Sequence, residues 1–193
     1  NQKLSAEVQA GERTLLFNTR FVDPWIAGDP NRTSYAVDLF RRRSRSVIFD
    51  GGEIEVDLPN GDNPRVVRTG GGVTFSRPLA PDVFTRPDWT LSAGLEYNRV
   101  QIKDADGEIS PEDELGNQLA FDESGEDDLF LLEFDAVRDR RNNPRQPTDG
   151  SVLRFGVDQS VPLGSGNILF NRLRGSYSYF IPVDLTNFSE EGG

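Results

Sequence analysis

Apolar and polar residues alternate with a period of two along nearly the whole chain, and the alternation restarts after each cluster of turn formers. Phe130, Leu132, Phe134 and Ala136 interleave with Leu131, Glu133 and Asp135; further on, Leu153, Phe155 and Val157 interleave with Arg154, Gly156 and Asp158. A β-strand sends successive side chains to opposite faces, so this period marks strands with one face in an apolar medium and the other wet. Between the two runs, paired asparagines, two prolines and an Asp-Gly step stop both strand and helix. Residues 138–150 are therefore a turn between antiparallel neighbours.

The same reading, taken in order, predicts eight strands and no helix. Residues 2–10 put Leu4, Ala6, Val8 and Ala10 on one face, and a tight Gly11-Glu12-Arg13 connection leads to residues 14–22, with Leu15, Phe17, Thr19 and Phe21. Turn-rich residues 23–30 precede a third strand at 33–45, where Tyr35, Val37 and Leu39 oppose Ser34, Ala36 and Asp38. A polar connection over 50–64 reaches the fourth strand, 66–77, in which Val67, Val73 and Phe75 oppose Arg68, Gly70, Gly72 and Thr74. After the proline-rich residues 80–87, Trp89, Leu91, Ala93, Leu95 and Tyr97 oppose Thr90, Ser92, Gly94, Glu96 and Asn98. Residues 103–128 form an acidic loop, and strands six and seven flank the turn at 138–150. Gly164-Ser165-Gly166-Asn167 closes another hairpin, and residues 168–183 set Leu169, Leu173, Tyr177, Tyr179 and Ile181 against Arg172, Arg174, Ser176 and Ser178.

Two architectures fit such strands. In a soluble sandwich or small barrel the apolar face points inward; in a transmembrane barrel it points to lipid and the polar face lines a lumen. Three features favour the membrane. The strands, at roughly 10–13 residues, exceed the common soluble length of about 5–6. The polar faces carry charges of both signs, as a hydrated lumen does: Arg20, Asp38, Arg68, Glu96, Glu133, Asp135, Arg154, Asp158, Arg172 and Arg174. Finally, an up-and-down order puts the two long polar connections, 50–64 and 103–128, on one side. It gathers Phe21, Trp25, Phe84 and Trp89 at the opposite rim, where an aromatic girdle sits at lipid headgroups.

Composition narrows the chemistry. The 193 residues contain no Cys, His or Met, which excludes disulfides, thiolate nucleophiles, Cys or His metal sites and a Ser-His-Asp triad. No run of apolar residues is long enough for a membrane-spanning helix, a test that does not bear on barrel strands. The net charge of −11 is local: residues 103–128 hold eleven acidic residues and one basic. The chain opens directly in a strand and closes on Ser189-Glu190-Glu191-Gly192-Gly193, which we read as a segment cut from a longer protein.

Pro147-Thr148-Asp149-Gly150 resembles the Pro-Thr-x-Gly turn that precedes an upward strand in the BamA-like outer-membrane barrel assembly and translocation family. Asp23-Pro24-Trp25 resembles that family's earlier Asn/Asp-Pro-aromatic turn, and Tyr179-Phe180-Ile181-Pro182-Val183 the end of a later downward strand. The segments 24–30 and Val47-Ile48-Phe49-Asp50-Gly51-Gly52 look most like the cyanobacterial and plastid import-channel branch. With the three landmarks in order, the resemblance covers essentially the whole chain. It implies that residues 1–193 are part of an all-β, antiparallel up-and-down transmembrane barrel, similar to strands three to ten of sixteen, with residues 103–128 as an acidic external loop. The family's periplasmic POTRA domains, seam strands and Val-Arg-Gly-aromatic loop have no counterpart in this span. The implied function is non-enzymatic: insertion of barrel proteins into an outer membrane, or polypeptide translocation. The implied partners are the bilayer, the remaining strands, POTRA domains and unfolded outer-membrane clients. No cofactor and no nucleic acid are expected, and the location is a Gram-negative-type outer membrane or plastid outer envelope. A passive diffusion porin and a soluble sandwich or lipocalin-like binding module stand as alternatives.

Four features invite chemistry. Arg41, Arg43 and Arg45, with Arg42, end the third strand at the external rim and are candidate contacts for lipid phosphates, against a solvated strand end. Asp104-Ala105-Asp106-Gly107 and the following acids suggest a calcium loop. Aligned on Gly107, however, the EF-hand pattern meets Ile102 and Asp113 where Asp and Glu are needed, so a solvated loop is the simpler reading. Gly70-Gly71-Gly72 lacks the Lys and helix of a phosphate loop and suits close packing in a strand. Glu133 and Asp135 share a strand face, where ion pairing explains them better than catalysis; no catalytic or metal residue is expected.

Overall fold

The computed structural model describes residues 2–45 and 56–183. Its elements are β1 (Lys3–Ala10), β2 (Thr14–Asp23), β3 (Ser34–Arg45), β4 (Arg65–Leu79), β5 (Trp89–Lys103), β6 (Glu126–Asp139), β7 (Gly150–Val161) and β8 (Asn171–Phe180). All eight lie in one sheet in chain order, each antiparallel to the next. The expected architecture is therefore found, and the differences lie at strand ends. β4 runs to Leu79 because Pro78 and Leu79 still pair with Thr90 and Trp89. β6 begins inside the acidic loop because Glu126, Asp127 and Asp128 pair with Gln101, Val100 and Arg99. Hydrogen-bonded pairing, which periodicity does not report, carries the strands past their alternation. β1 and β8 do not pair with each other, so both edges of the sheet are open among the described residues.

Register assigns the faces. Phe21, Val37, Val73, Leu95 and Leu132 are aligned on neighbouring strands and share a face; Asp38, Gly72, Glu96 and Leu131 lie in an adjacent row on the opposite one. A soluble sandwich would bring Phe17, Phe75, Leu95, Phe155 and Tyr177 together in a dry centre. Instead each is between 47 % and 64 % exposed, and no second sheet covers them. This overturns the soluble alternative: a band of large apolar side chains left uncovered is stable against lipid, not against water.

The glycines of β4 adapt the sheet to its neighbours. The Phe40 ring lies over Gly70, 2.9 Å from where a Cβ would sit, and that Cβ would overlap the Tyr97 carbonyl oxygen. Leu39 leans over Gly71 from the opposite face in the same way. Glycine thus allows strand β3 to lay bulky side chains directly on β4.

At the end bearing the two long connections the alternation changes meaning. Val66 and Ile102, on the polar face by register, are buried, as is Leu58 in the preceding connection, while Arg65 and Lys103 take the outward face. Val67, between Arg65 and Thr69 on the outward face, is buried as well, so both faces are covered at this end of β4.

Candidate functional site

All ten charges expected on one face lie there by register: Arg20, Asp38, Arg68, Glu96, Glu133, Asp135, Arg154, Asp158, Arg172 and Arg174. The face is concave. Residues of five successive strands, among them Asn18, Asp38, Arg68, Glu96 and Glu133, line one groove of about 500 Å³. Curvature that wraps the polar side is what a barrel wall requires.

Within this face the charges behave in two ways. Toward β8, Asp158 is fully buried and accepts hydrogen bonds from Arg172 Nε and Arg174 Nη2, both at 2.6 Å. Arg174 also reaches Asp135 at 3.4 Å. Two guanidiniums thus neutralise two carboxylates across three strands, and charge-assisted bonds of this length are the strong class. Toward β2, Arg20, Asp38, Arg68, Glu96 and Glu133 make no ion pair among the described residues and instead surround the open groove. Arg154 lies with Asp135 and Arg174 on a smaller pocket of about 200 Å³.

Sequence reading misplaced one charged groove residue. Arg42, grouped with the external-rim arginines, faces inward beside Phe40, since strand parity separates it from Arg41 and Arg43. Parity along the predicted strand was the available signal. Val47-Ile48-Phe49-Asp50-Gly51-Gly52 lies outside the described residues.

The rim opposite the long loops is built from turns whose geometry explains their residue types. Asp23 Oδ1 accepts from Trp25 N at 3.0 Å, and the Trp25 indole donates to the Asp29 carbonyl at 2.7 Å. Asp29 in turn takes Asn31 N and Thr33 N, and the Thr33 side chain, followed by these amides, holds its carboxyl below the usual carboxylate range. In the Pro147-Thr148-Asp149-Gly150 turn, Asn142 donates to the Thr148 hydroxyl at 2.7 Å and accepts from Thr148 N and Asp149 N. Gly150 has φ 103°, and a Cβ there would collide with the Arg140 carbonyl, so the motif's last position demands glycine. Asp88 ties this turn to its neighbour, receiving Arg140 Nε at 2.6 Å and Arg138 Nε at 3.2 Å. Arg138 also sits 5.6 Å above the Trp89 ring. Arg140 holds the Asp88 carboxyl below its ordinary range.

At the opposite end the acidic loop is ordered by its own aspartates. Asp104 caps Gly107 N and Glu108 N, Asp113 caps Leu115 N and Asn117 N, and Asp122 caps Ser124 N. Side-chain hydrogen bonds from Asn117 to Asp113 and from Ser124 to Asp122, and then these backbone donors, hold the two carboxyls low. Among the described residues no three metal-type side chains converge. The loop is stapled to its neighbours: Glu114 N donates to the Asp57 carbonyl, Ala105 N to Asp62, and Gly166 N to Asp122.

Comparison with known proteins agrees with this geometry. The model of the Omp85 superfamily domain matches residues 1–191. Outer envelope protein 80, chloroplastic, of Oryza sativa subsp. japonica is 25 % identical over 173 residues, covering 90 % of this chain and 24 % of the relative. The Arabidopsis thaliana protein of the same name is 25 % identical over 175 residues, covering 91 % of this chain and 22 % of the relative. The chain thus spans under a quarter of the length of these relatives.

Proposed function

Because the chain belongs to the Omp85 superfamily, we propose that it is wall, turns and external loops of a barrel that inserts outer-membrane proteins or translocates polypeptides. Superfamily membership and the chloroplast relatives locate it in an outer membrane or plastid outer envelope. The observation that carries the reading is the pairing of faces: an uncovered apolar convex band and a charged concave groove on one sheet with two open edges.

Physics ties those edges to the function. A strand edge in lipid leaves backbone N–H and C=O groups unsatisfied, at several kcal/mol for each group. In this proposal further strands of the same barrel cover β1 and β8, as the resemblance to strands three to ten implies. A barrel with a seam that opens offers such an edge to a client strand, lowering the cost of bringing polar backbone into the bilayer. In this proposal the present segment supplies the rigid part. POTRA domains and unfolded barrel clients are the proposed partners, the role is scaffolding without chemistry, and no cofactor is invoked.

The test is reconstitution of the full-length protein into liposomes with an unfolded barrel client. Accelerated folding of the client, read as resistance to heat unfolding on gels and protection from protease, is expected. Steady ion conductance without any acceleration would replace the proposal with a diffusion porin.

A further inference from the structure

One row of the outward face holds two arginines in opposite situations. Arg41 is aligned with Thr69, and Thr69 with Arg99. Arg99 has its own counter-charge: its Nε lies 2.8 Å from Asp128, which also accepts the Tyr97 hydroxyl at 2.7 Å. Arg41 has none. Neither its side chain nor that of Arg43 makes an ion pair or hydrogen bond among the described residues, and both are exposed.

Their surroundings are apolar. Val37 and Leu39 precede them on the same face of β3, and the aligned residues of β2 are Phe17 for Arg41 and Leu15 for Arg43. Leu39 and Phe17 are 58 % and 48 % exposed and belong to the lipid-facing band. On β5, the outward face from Trp89 to Arg99, which is aligned with Thr69, passes only Leu91, Ala93, Leu95 and Tyr97 and covers about 25 Å of bilayer normal at ~3.3 Å per residue and a tilt of ~40°, the height of a barrel's apolar band. Arg41 therefore stands at the upper edge of that band, with Arg43 one step beyond it.

We propose that Arg41 and Arg43 bind the anionic headgroup of a membrane lipid at the external edge of the apolar band. Two guanidiniums two residues apart on one strand face present parallel donor forks to a single phosphate-type group. Their aliphatic stems run along Leu39, Phe17 and Leu15 while the heads reach the headgroup level. The same neighbours select a lipid over a free anion, since acyl chains cover the Phe17 and Leu39 surface and inorganic phosphate does not. On the β5–β6 side Asp128 already occupies Arg99, so the site is confined to β3. The inference rests on the transmembrane placement of the sheet and not on the insertion or translocation role.

The experiment is native mass spectrometry of the full-length protein in detergent, titrated with phosphatidylglycerol or phosphatidylcholine. Wild type should retain phosphatidylglycerol in preference, R41Q/R43Q should weaken its retention by about thirty-fold at roughly fivefold for each arginine, and R41K/R43K, which keeps the charge but loses the fork, should fall between the two. Unchanged phosphatidylglycerol retention in R41Q/R43Q, or equal retention of the two lipids by wild type, would overturn the proposal. Displacement of the lipid by excess inorganic phosphate would also overturn it, in favour of a free-anion site. The wild-type comparison stands even if the double variant fails to fold. Loss of detergent dependence altogether would instead be a failure of the barrel placement.

Discussion

The two halves of the sheet handle charge differently. From β5 to β8, most aspartates meet guanidiniums supplied by the chain itself, Asp128 with Arg99 and Asp158 with Arg172 and Arg174, while Glu96 and Glu133 stay with the open groove. From β2 to β4, Arg20, Arg42 and Arg68 face the groove, and Arg41 and Arg43 face outward, without an ion pair among the described residues. One half uses charge to lock strands together. The other holds it available for water, lipid or whatever occupies the lumen. A sheet of uniform period and register thus carries a structural half and a receptive half, distinguished by whether an arginine closes on an acid: Arg20 is aligned with Asp38, yet the two make no ion pair among the described residues.

The contrast is broken most strongly at Asp158. R172Q/R174Q strands a fully buried carboxylate, and we expect a loss of about 3 kcal/mol, moderated because both guanidiniums are half-exposed to a wet face. Denaturant unfolding in detergent micelles measures it; a loss below about 0.5 kcal/mol, the scatter of surface substitutions, would remove the distinction between the halves. Next comes Gly70→Ala, which forces a methyl against the Tyr97 carbonyl and the Phe40 ring. Overpacking of this kind costs about 2 kcal/mol, and the same unfolding assay should show it, with partial relief when Phe40→Leu is added.

A smaller effect is expected at the turn clamp. Asp88→Asn should loosen Arg138 from Trp89 and shift the fluorescence of that tryptophan in a Trp25→Phe background. The Asp88 carboxyl is held below its ordinary 3.8, so its contribution is present above that value and lost only as pH falls through the lower folded one. The wild-type signal should then be flat from neutral pH down to about 3.8, and a transition at higher pH would contradict the clamp. The smallest change is R20Q/R68Q in the receptive half, expected to alter stability by less than about 0.5 kcal/mol because neither arginine has a partner to lose. A loss comparable to that of R172Q/R174Q would show that both halves are structural.

The strands, their order and the face of the ten expected lumen charges were legible in the chain, because a period of two leaves no freedom once one face is assigned; Arg42 obeyed the same parity and was grouped against it. Landmarks such as Pro147-Thr148-Asp149-Gly150 were legible for a related reason: the backbone at Gly150 admits no side chain. Periodicity is blind to pairing across strands, so it did not show that β6 begins within the acidic loop or that aspartates order that loop by capping its backbone. Nor did it show that Asp158 is buried between two arginines while Glu133, aligned with it on β6, has none. Those outcomes depend on which side chains the curvature and register of the sheet bring within about 3 Å of each other, the range over which a charge-assisted hydrogen bond acts. Local sequence determines which way a residue points; only the assembled sheet decides whom it meets.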